Sequence, residues 1–178
     1  MTLLTVGHGT ASQSELTALL HGAGIRLLVD VRTAPGSRRH PHVARAALAE
    51  WLPAAGIGYR WEKDLGGFRR PPPDSPDVVW REPMFRGYAA WTRQEPFRAA
   101  LDRVLAAAAD GPGGTVVMCS EAVWWRCHRR LIADVAVLLH DVPVLHLMHD
   151  GRLAAHRPTA GARVTPDGLL YDDGALPL

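Results

Sequence analysis

The sequence predicts an α/β fold: a mainly parallel sheet with helices on both faces, followed by a small β-rich C-terminal tail. Short β-prone apolar runs alternate with stretches whose apolar residues recur at 3-and-4 spacing, and strands separated by helices cannot pair as hairpins. The turn signals Asp150-Gly151, Asp167-Gly168 and Asp173-Gly174 gather after the last helical stretch. A length of 178 residues suits one domain over 1–178. With 47% hydrophobic and 21% charged residues, disorder, collagen-like repeats and coiled coils are excluded.

Thr2 to Val6 reads as the first strand, and Ser12-Gln-Ser-Glu15 is a capping box ahead of Leu16, Leu19 and Leu20. Ile25 to Val31 is a buried-type strand that carries Asp30 near its end and Arg32 just beyond. Pro41 suits a first helical turn before the inner face Ala44, Leu48, Trp51 and Leu52, and Ile57 to Trp61 is a third strand. From Glu62 to Pro83 the chain turns Pro-rich, and a loop of this length within a compact domain predicts an ordered, lid-like excursion over a site. Phe97 to Ala108 is an amphipathic helix, Thr115 to Met118 the fourth strand, Leu131 to Leu139 a helix and Val142 to Met148 the fifth strand. Residues 157–178 form a C-terminal extension of short strands and turns. There is no internal repeat.

Twenty basic against eighteen acidic residues leave a formal charge of +2, which argues against non-specific attraction to nucleic acid or anionic membrane. The start of the chain shows no leader pattern, and no apolar run approaches the roughly 18 residues of a membrane span. The expectation is a cytoplasmic protein with no membrane partner. Cys119 and Cys127 lie in a charged segment unlike a disulfide framework, so they are thiols or ligands.

In open α/β sheets ligands bind beyond the carboxyl ends of the strands, where strand order reverses. With the first strand flanked by the second and the fourth, three loops converge there: Gly7-His8-Gly9-Thr10, Asp30-Val-Arg32, and Cys119-Ser-Glu121 with Trp124-Trp-Arg-Cys-His-Arg-Arg130. Arginines are unfavourable at the positive start of a helix, yet Arg126, Arg129 and Arg130 gather there. Either Glu121 or Asp30 compensates them or an anionic ligand such as a phosphate does. The thiols carry a similar pair of readings. A helix start and neighbouring cations favour a thiolate at Cys127, whereas spacing of four to Leu131 allows Cys127 to pack as a small apolar residue.

Six residues separate Cys119 from Arg126 where a tyrosine-phosphatase loop has five, and Trp124-Trp125 replaces the glycines that cradle phosphate. Cys119, Cys127 and His128 with His8, His146 or His156 offer four soft ligands, but the spacing matches no familiar zinc pattern, so no metal is assigned. Adjacent Cys127 and His128 on a helix would not reach one ion easily. Trp124 and Trp125 either stack on a flat ligand or fill a core edge.

Five segments in order, Thr5-Val-Gly-His8, Leu28-Val-Asp-Val-Arg32, Leu65-Gly-Gly67, Phe85-Arg-Gly-Tyr88 and Met118-Cys-Ser-Glu121 with Cys127-His-Arg129, resemble the family called domain of unknown function 488. The resemblance runs from residue 2 to about 156 and departs from the family at Trp124-Trp125. It implies a Rossmann-like α/β fold and a site, but no reaction and no cofactor. The resulting expectation is an enzyme, a cysteine-dependent transferase or hydrolase, acting on an anionic phosphate-bearing or nucleotide-like substrate. Its catalytic candidates are Cys119, Cys127, His128, Glu121, Asp30 and His8, and its substrate-binding candidates are Arg32, Arg126, Arg129, Thr10 and Tyr88. The alternative is a non-catalytic module that binds nucleic acid or protein through Arg38, Arg39, Trp124 and the arginine cluster.

Overall fold

The computed structural model describes residues 1–111 and 113–174. The strands are β1 (Leu3–Gly7), β2 (Ile25–Asp30), β3 (Gly58–Trp61), β4 (Gly114–Cys119), β5 (Val144–Leu147), β6 (Leu153–Ala155), β7 (Ala162–Thr165) and β8 (Gly168–Tyr171). The helices are α1 (Gln13–Gly22), α2 (Arg45–Ala54), α3 (Pro83–Thr92), α4 (Glu95–Asp110) and α5 (Arg129–His140). One six-stranded sheet has the order β3-β2-β4-β1-β5-β6, and β7 and β8 form a separate antiparallel pair. The first five strands are parallel and β6 turns back against β5.

Alternation along the buried strands divides the core. Leu3, Val29 and Val117 point to one face, where α3, α4 and α5 supply Tyr88, Phe97, Leu101, Leu131 and Ile132. Leu4, Val6, Leu28 and Val116 point to the other and meet Leu16, Leu20, Leu48 and Leu52 of α1 and α2. Each such side chain taken fully out of water contributes about 1.5–3 kcal/mol before its ordering cost. The Ser12 capping box is formed: its hydroxyl accepts from the Glu15 N–H while the Glu15 carboxylate accepts from the Ser12 N–H.

The structure corrects the expected strand order. β1 is flanked by β4 and β5, and β4 separates it from β2. The connection through α1 skips one strand position and the chain later returns through α4 to fill it. The helices leaving β1 and β4 pack on opposite faces, while the loops after these strands stay joined at first, His8 N–H donating to the Cys119 carbonyl and Gly9 N–H to the Ser120 carbonyl, both at 2.9 Å. α3 was not expected as a helix. Pro83 starts it, and Tyr88, Ala89 and Thr92 form its buried face.

Candidate functional site

Register places the sequence-derived loops at one rim. Gly7 pairs with Cys119 and Asp30 with Met118, so β1, β2 and β4 end level with one another. A cavity of about 430 Å³ opens there, within the size range of small-molecule sites. His8, Arg32, Cys119, Glu121, Arg126, Cys127 and His128 line it; Asp30, Arg129, Thr10 and Tyr88 do not. Thr10 is exposed beside it, and Tyr88 is buried, with its hydroxyl donating to the Leu65 carbonyl at 2.7 Å and its ring edge-on to His128.

Cys127 is not in the first helical turn. Trp124–Arg126 forms a single 3₁₀ turn, Cys127 is extended at φ −125° and ψ 148°, and His128 is the N-cap of α5. An extended residue turns its side chain off the helix surface, so Cys127 and His128 face one space after all. Sγ of Cys127 lies 3.7 Å from His128 Nδ1, and Sγ of Cys119 lies 3.8 Å from the same nitrogen. His128 Nε2 is 3.0 Å from the Val31 carbonyl, which only accepts, so Nε2 carries the hydrogen and Nδ1 is the bare nitrogen of the neutral ring. Gly67 lies against that imidazole: a Cβ there would come within 2.5 Å of Nδ1.

The three donor atoms lie within 4.8 Å of one another, so Cys119, Cys127 and His128 are the described residues able to share a soft metal ion. A cation already occupies the neighbourhood. Arg129, 1% exposed, donates from Nε to the Cys127 sulfur at 3.3 Å, from Nη1 to Thr5 Oγ1 at 3.3 Å, and from Nη2 to the Glu121 carbonyl. Among the described residues it has no carboxylate partner. Burial pushes the Cys127 thiol up, but the hydrogen bond from Cys119, the Arg129 charge and the Arg129 N–H donors outweigh it and hold Cys127 down at about 6. The neighbouring Cys127 sulfur, together with burial, raises Cys119 to about 12. The contact that favours a thiolate at Cys127 over Cys119 is the Arg129 Nε donor, 3.3 Å from the Cys127 sulfur.

Arg32 is held differently. It forms a bidentate pair with fully buried Asp30, Nε to Oδ1 at 2.8 Å and Nη2 to Oδ2 at 2.6 Å, and Nη2 also donates to the Val43 carbonyl. Tyr59 donates to the same carboxylate at 3.0 Å. Asp30 therefore positions Arg32 and is saturated. Arg32 Nη1 approaches His8 Nε2 at 3.4 Å, while His8 Nδ1 donates to the Gly9 carbonyl. Burial, reinforced by the Arg32 charge, lowers His8 to about 4, so it is neutral near pH 7. Glu121 is exposed, and its carboxylate caps the Val123 N–H at 3.0 Å.

The family model of Domain of unknown function DUF488 matches residues 12–136, more than half of the chain. The chain belongs to this family. No curated protein and no solved structure matches it significantly. The DUF488 span includes Asp30, Arg32, both cysteines, His128 and Arg129, while His8 precedes it and His146 and His156 follow it.

That last stretch supplies a feature the sequence did not reveal. Thr5 Oγ1, which accepts from Arg129, lies 2.7 Å from His146 Nδ1; His146 Nε2 is 3.0 Å from His156 Nδ1, and His156 Nε2 is 2.8 Å from Asp134 Oδ1. Every donor in this buried chain is used when both imidazoles are neutral, running from the Arg129 cation to the Asp134 anion. Burial, with the nearby Arg129 charge, lowers His146 to about 3. Asp134 also accepts from the Thr159 N–H and hydroxyl and from the Tyr171 hydroxyl. Trp124 stacks on His146, with ring centres 4.0 Å apart, and is half-buried there.

The Glu62 to Pro83 excursion reaches the rim at Gly67 and Phe68, which line the cavity with Met84 and Phe85. Its far end is anchored. Asp77 is fully buried, paired with Arg93 at 2.7 and 2.9 Å and accepting from the Tyr171 N–H, and Val79 donates to the Tyr171 carbonyl. No helix among the described residues is long and apolar enough to cross a membrane.

Proposed function

We propose that the rim cavity is the active site of a cysteine-dependent enzyme that takes an anionic substrate, with Cys127 as the nucleophile. The observation that carries this reading is Arg129: a guanidinium 1% exposed, bonded to the Cys127 sulfur and lacking any carboxylate among the described residues. A buried cation needs a compensating anion, and the group in contact that is able to supply one is the Cys127 thiolate. The guanidinium on that sulfur also opposes a second cation there, which favours a thiolate over a metal ligand.

The remaining roles follow from the geometry. Arg32, its outer nitrogen free of Asp30, and exposed Arg126 hold the substrate anion at the cavity wall. Phe68, Met84 and Phe85 accept an apolar body, with the excursion acting as cover. Asp30 and Arg129 are positioning residues, and Tyr88 supports the His128 ring from beneath.

Site-resolved alkylation with iodoacetate and with neutral iodoacetamide tests this. Relative to a free thiol, Cys127 should prefer the anionic reagent at pH 7, and Arg126→Ala should reduce that preference by roughly threefold or more, as expected for losing one close charge. Slow labelling of both cysteines without regard to reagent charge would remove the nucleophile and favour a binding module instead.

A further inference from the structure

A single nucleophile is enough for acyl or phosphoryl transfer, provided that a base prepares water to release the intermediate. The imidazole nitrogens here are not set for that task. His128 Nδ1 faces the two sulfurs and is covered by Gly67, and the His8 Nε2 lone pair is directed at Arg32. What stands next to Cys127 is a second thiol. Cys119 lies in the same cavity, its sulfur within 4.8 Å of that of Cys127, and both cysteines are free.

We propose that the two cysteines act as an attacking and a resolving thiol, so that the substrate class is an anionic organic disulfide, which the site reduces to two thiols while Cys119 and Cys127 become a disulfide. This deepens the nucleophile reading and rests on it. In the first step the Cys127 thiolate attacks one substrate sulfur, forming a Cys127–substrate mixed disulfide as the substrate S–S bond breaks, and the other half leaves as a thiolate. In the second, Cys119 gives its proton to His128 Nδ1, 3.8 Å away, and attacks the Cys127 sulfur; the Cys119–Cys127 bond forms and the second half leaves as a thiolate. Two electrons pass from the dithiol to the substrate. The proton on His128 passes to solvent or to a departing thiolate. Arg32 and Arg126 line the space where both anionic halves depart. A separate dithiol reductant would return the site to its starting state.

The test uses the full chain and 5,5′-dithiobis(2-nitrobenzoate), a disulfide with a carboxylate and an aromatic ring on each half. Supplied at one equivalent or less, it should release both chromophoric halves per molecule consumed, leaving protein lighter by two hydrogens with a Cys119–Cys127 cross-link in peptide mapping. Cys119→Ser should release half as much and retain an adduct on Cys127, and Cys127→Ser should slow the first release by roughly a hundredfold. The wild-type stoichiometry needs no variant, so a folding defect does not decide the matter. One half released per reagent molecule, with the adduct retained on wild-type protein, would overturn the dithiol step while carboxymethylation of Cys127 still upheld the nucleophile. Stoichiometric metal in the purified protein, with both thiols silent until a chelator is added, would overturn both.

Discussion

The end of β2 and the start of α5 each bury an arginine at the same rim, and the two are satisfied in opposite ways. Arg32 faces a dedicated carboxylate, Asp30, in a bidentate pair completed by a backbone carbonyl. Arg129 is more deeply buried, yet its bonds go to a thiol, a hydroxyl and a carbonyl. A cation paired with a carboxylate has its charge balanced and its geometry fixed, which holds the remaining Arg32 nitrogen at the cavity wall. A buried cation without a carboxylate stabilises whatever anion forms beside it, and in this fold that is a cysteine.

The largest expected effect lies on the paired side. Asp30→Ala strips the partner from a buried guanidinium, and denaturant unfolding should show a loss of about 3–5 kcal/mol, typical of breaking a buried pair from one end. A loss below about 1 kcal/mol would mean that Arg32 is as self-sufficient as Arg129, and the contrast would fail.

Arg129→Met acts on the other side. Burial still pushes the Cys127 thiol up, and with the Arg129 charge and donors gone only Cys119 still opposes it, so its pKa should rise well above about 6. Alkylation of Cys127 at pH 7 should then fall by at least roughly tenfold, since each pKa unit is a factor of ten in thiolate population. A conserved rate would detach the thiol from the guanidinium.

A smaller effect is expected in stability against pH. The folded pKa of Cys127 lies below its ordinary 9.0, so its contribution is complete above about pH 9 and is lost as pH falls through about 6. Cys119 is raised to about 12, so its contribution is complete below about pH 9 and is lost as pH climbs towards 12. Stability owed to the pair should therefore rise between pH 6 and 9, and Cys127→Ser should flatten that rise. An unchanged slope in the variant would assign it to other groups.

Much of this contrast is written locally in the chain, and part is not. Asp30 and Arg32 sit two residues apart at a strand end, so their convergence at a sheet rim follows from the alternation of strands and helices. Cys119 reads as the first residue after a strand ending at Met118 and is the last residue of β4, so its place at the rim is legible to within one position. The conformation of Cys127 is not, because a helical stripe from Leu131 onward reads naturally as starting earlier, and the 3₁₀ turn at Trp124–Arg126 interrupts it. α3 was hidden by the prolines around it, although Pro83 suits a first helical turn. The chain from Thr5 to Asp134 was out of reach for a plainer reason: Thr5 and His146 are 141 positions apart, and no local pattern announces a contact made across the sheet.

Whether Cys127 is the anion beside Arg129 is read from the rate of its alkylation against pH, resolved from that of Cys119 by peptide mass. The midpoint for Cys127 should fall near pH 6, with Cys119 unreactive until far more alkaline conditions. A Cys127 midpoint at or above the ordinary 9.0, or Cys119 reacting first, would contradict that assignment.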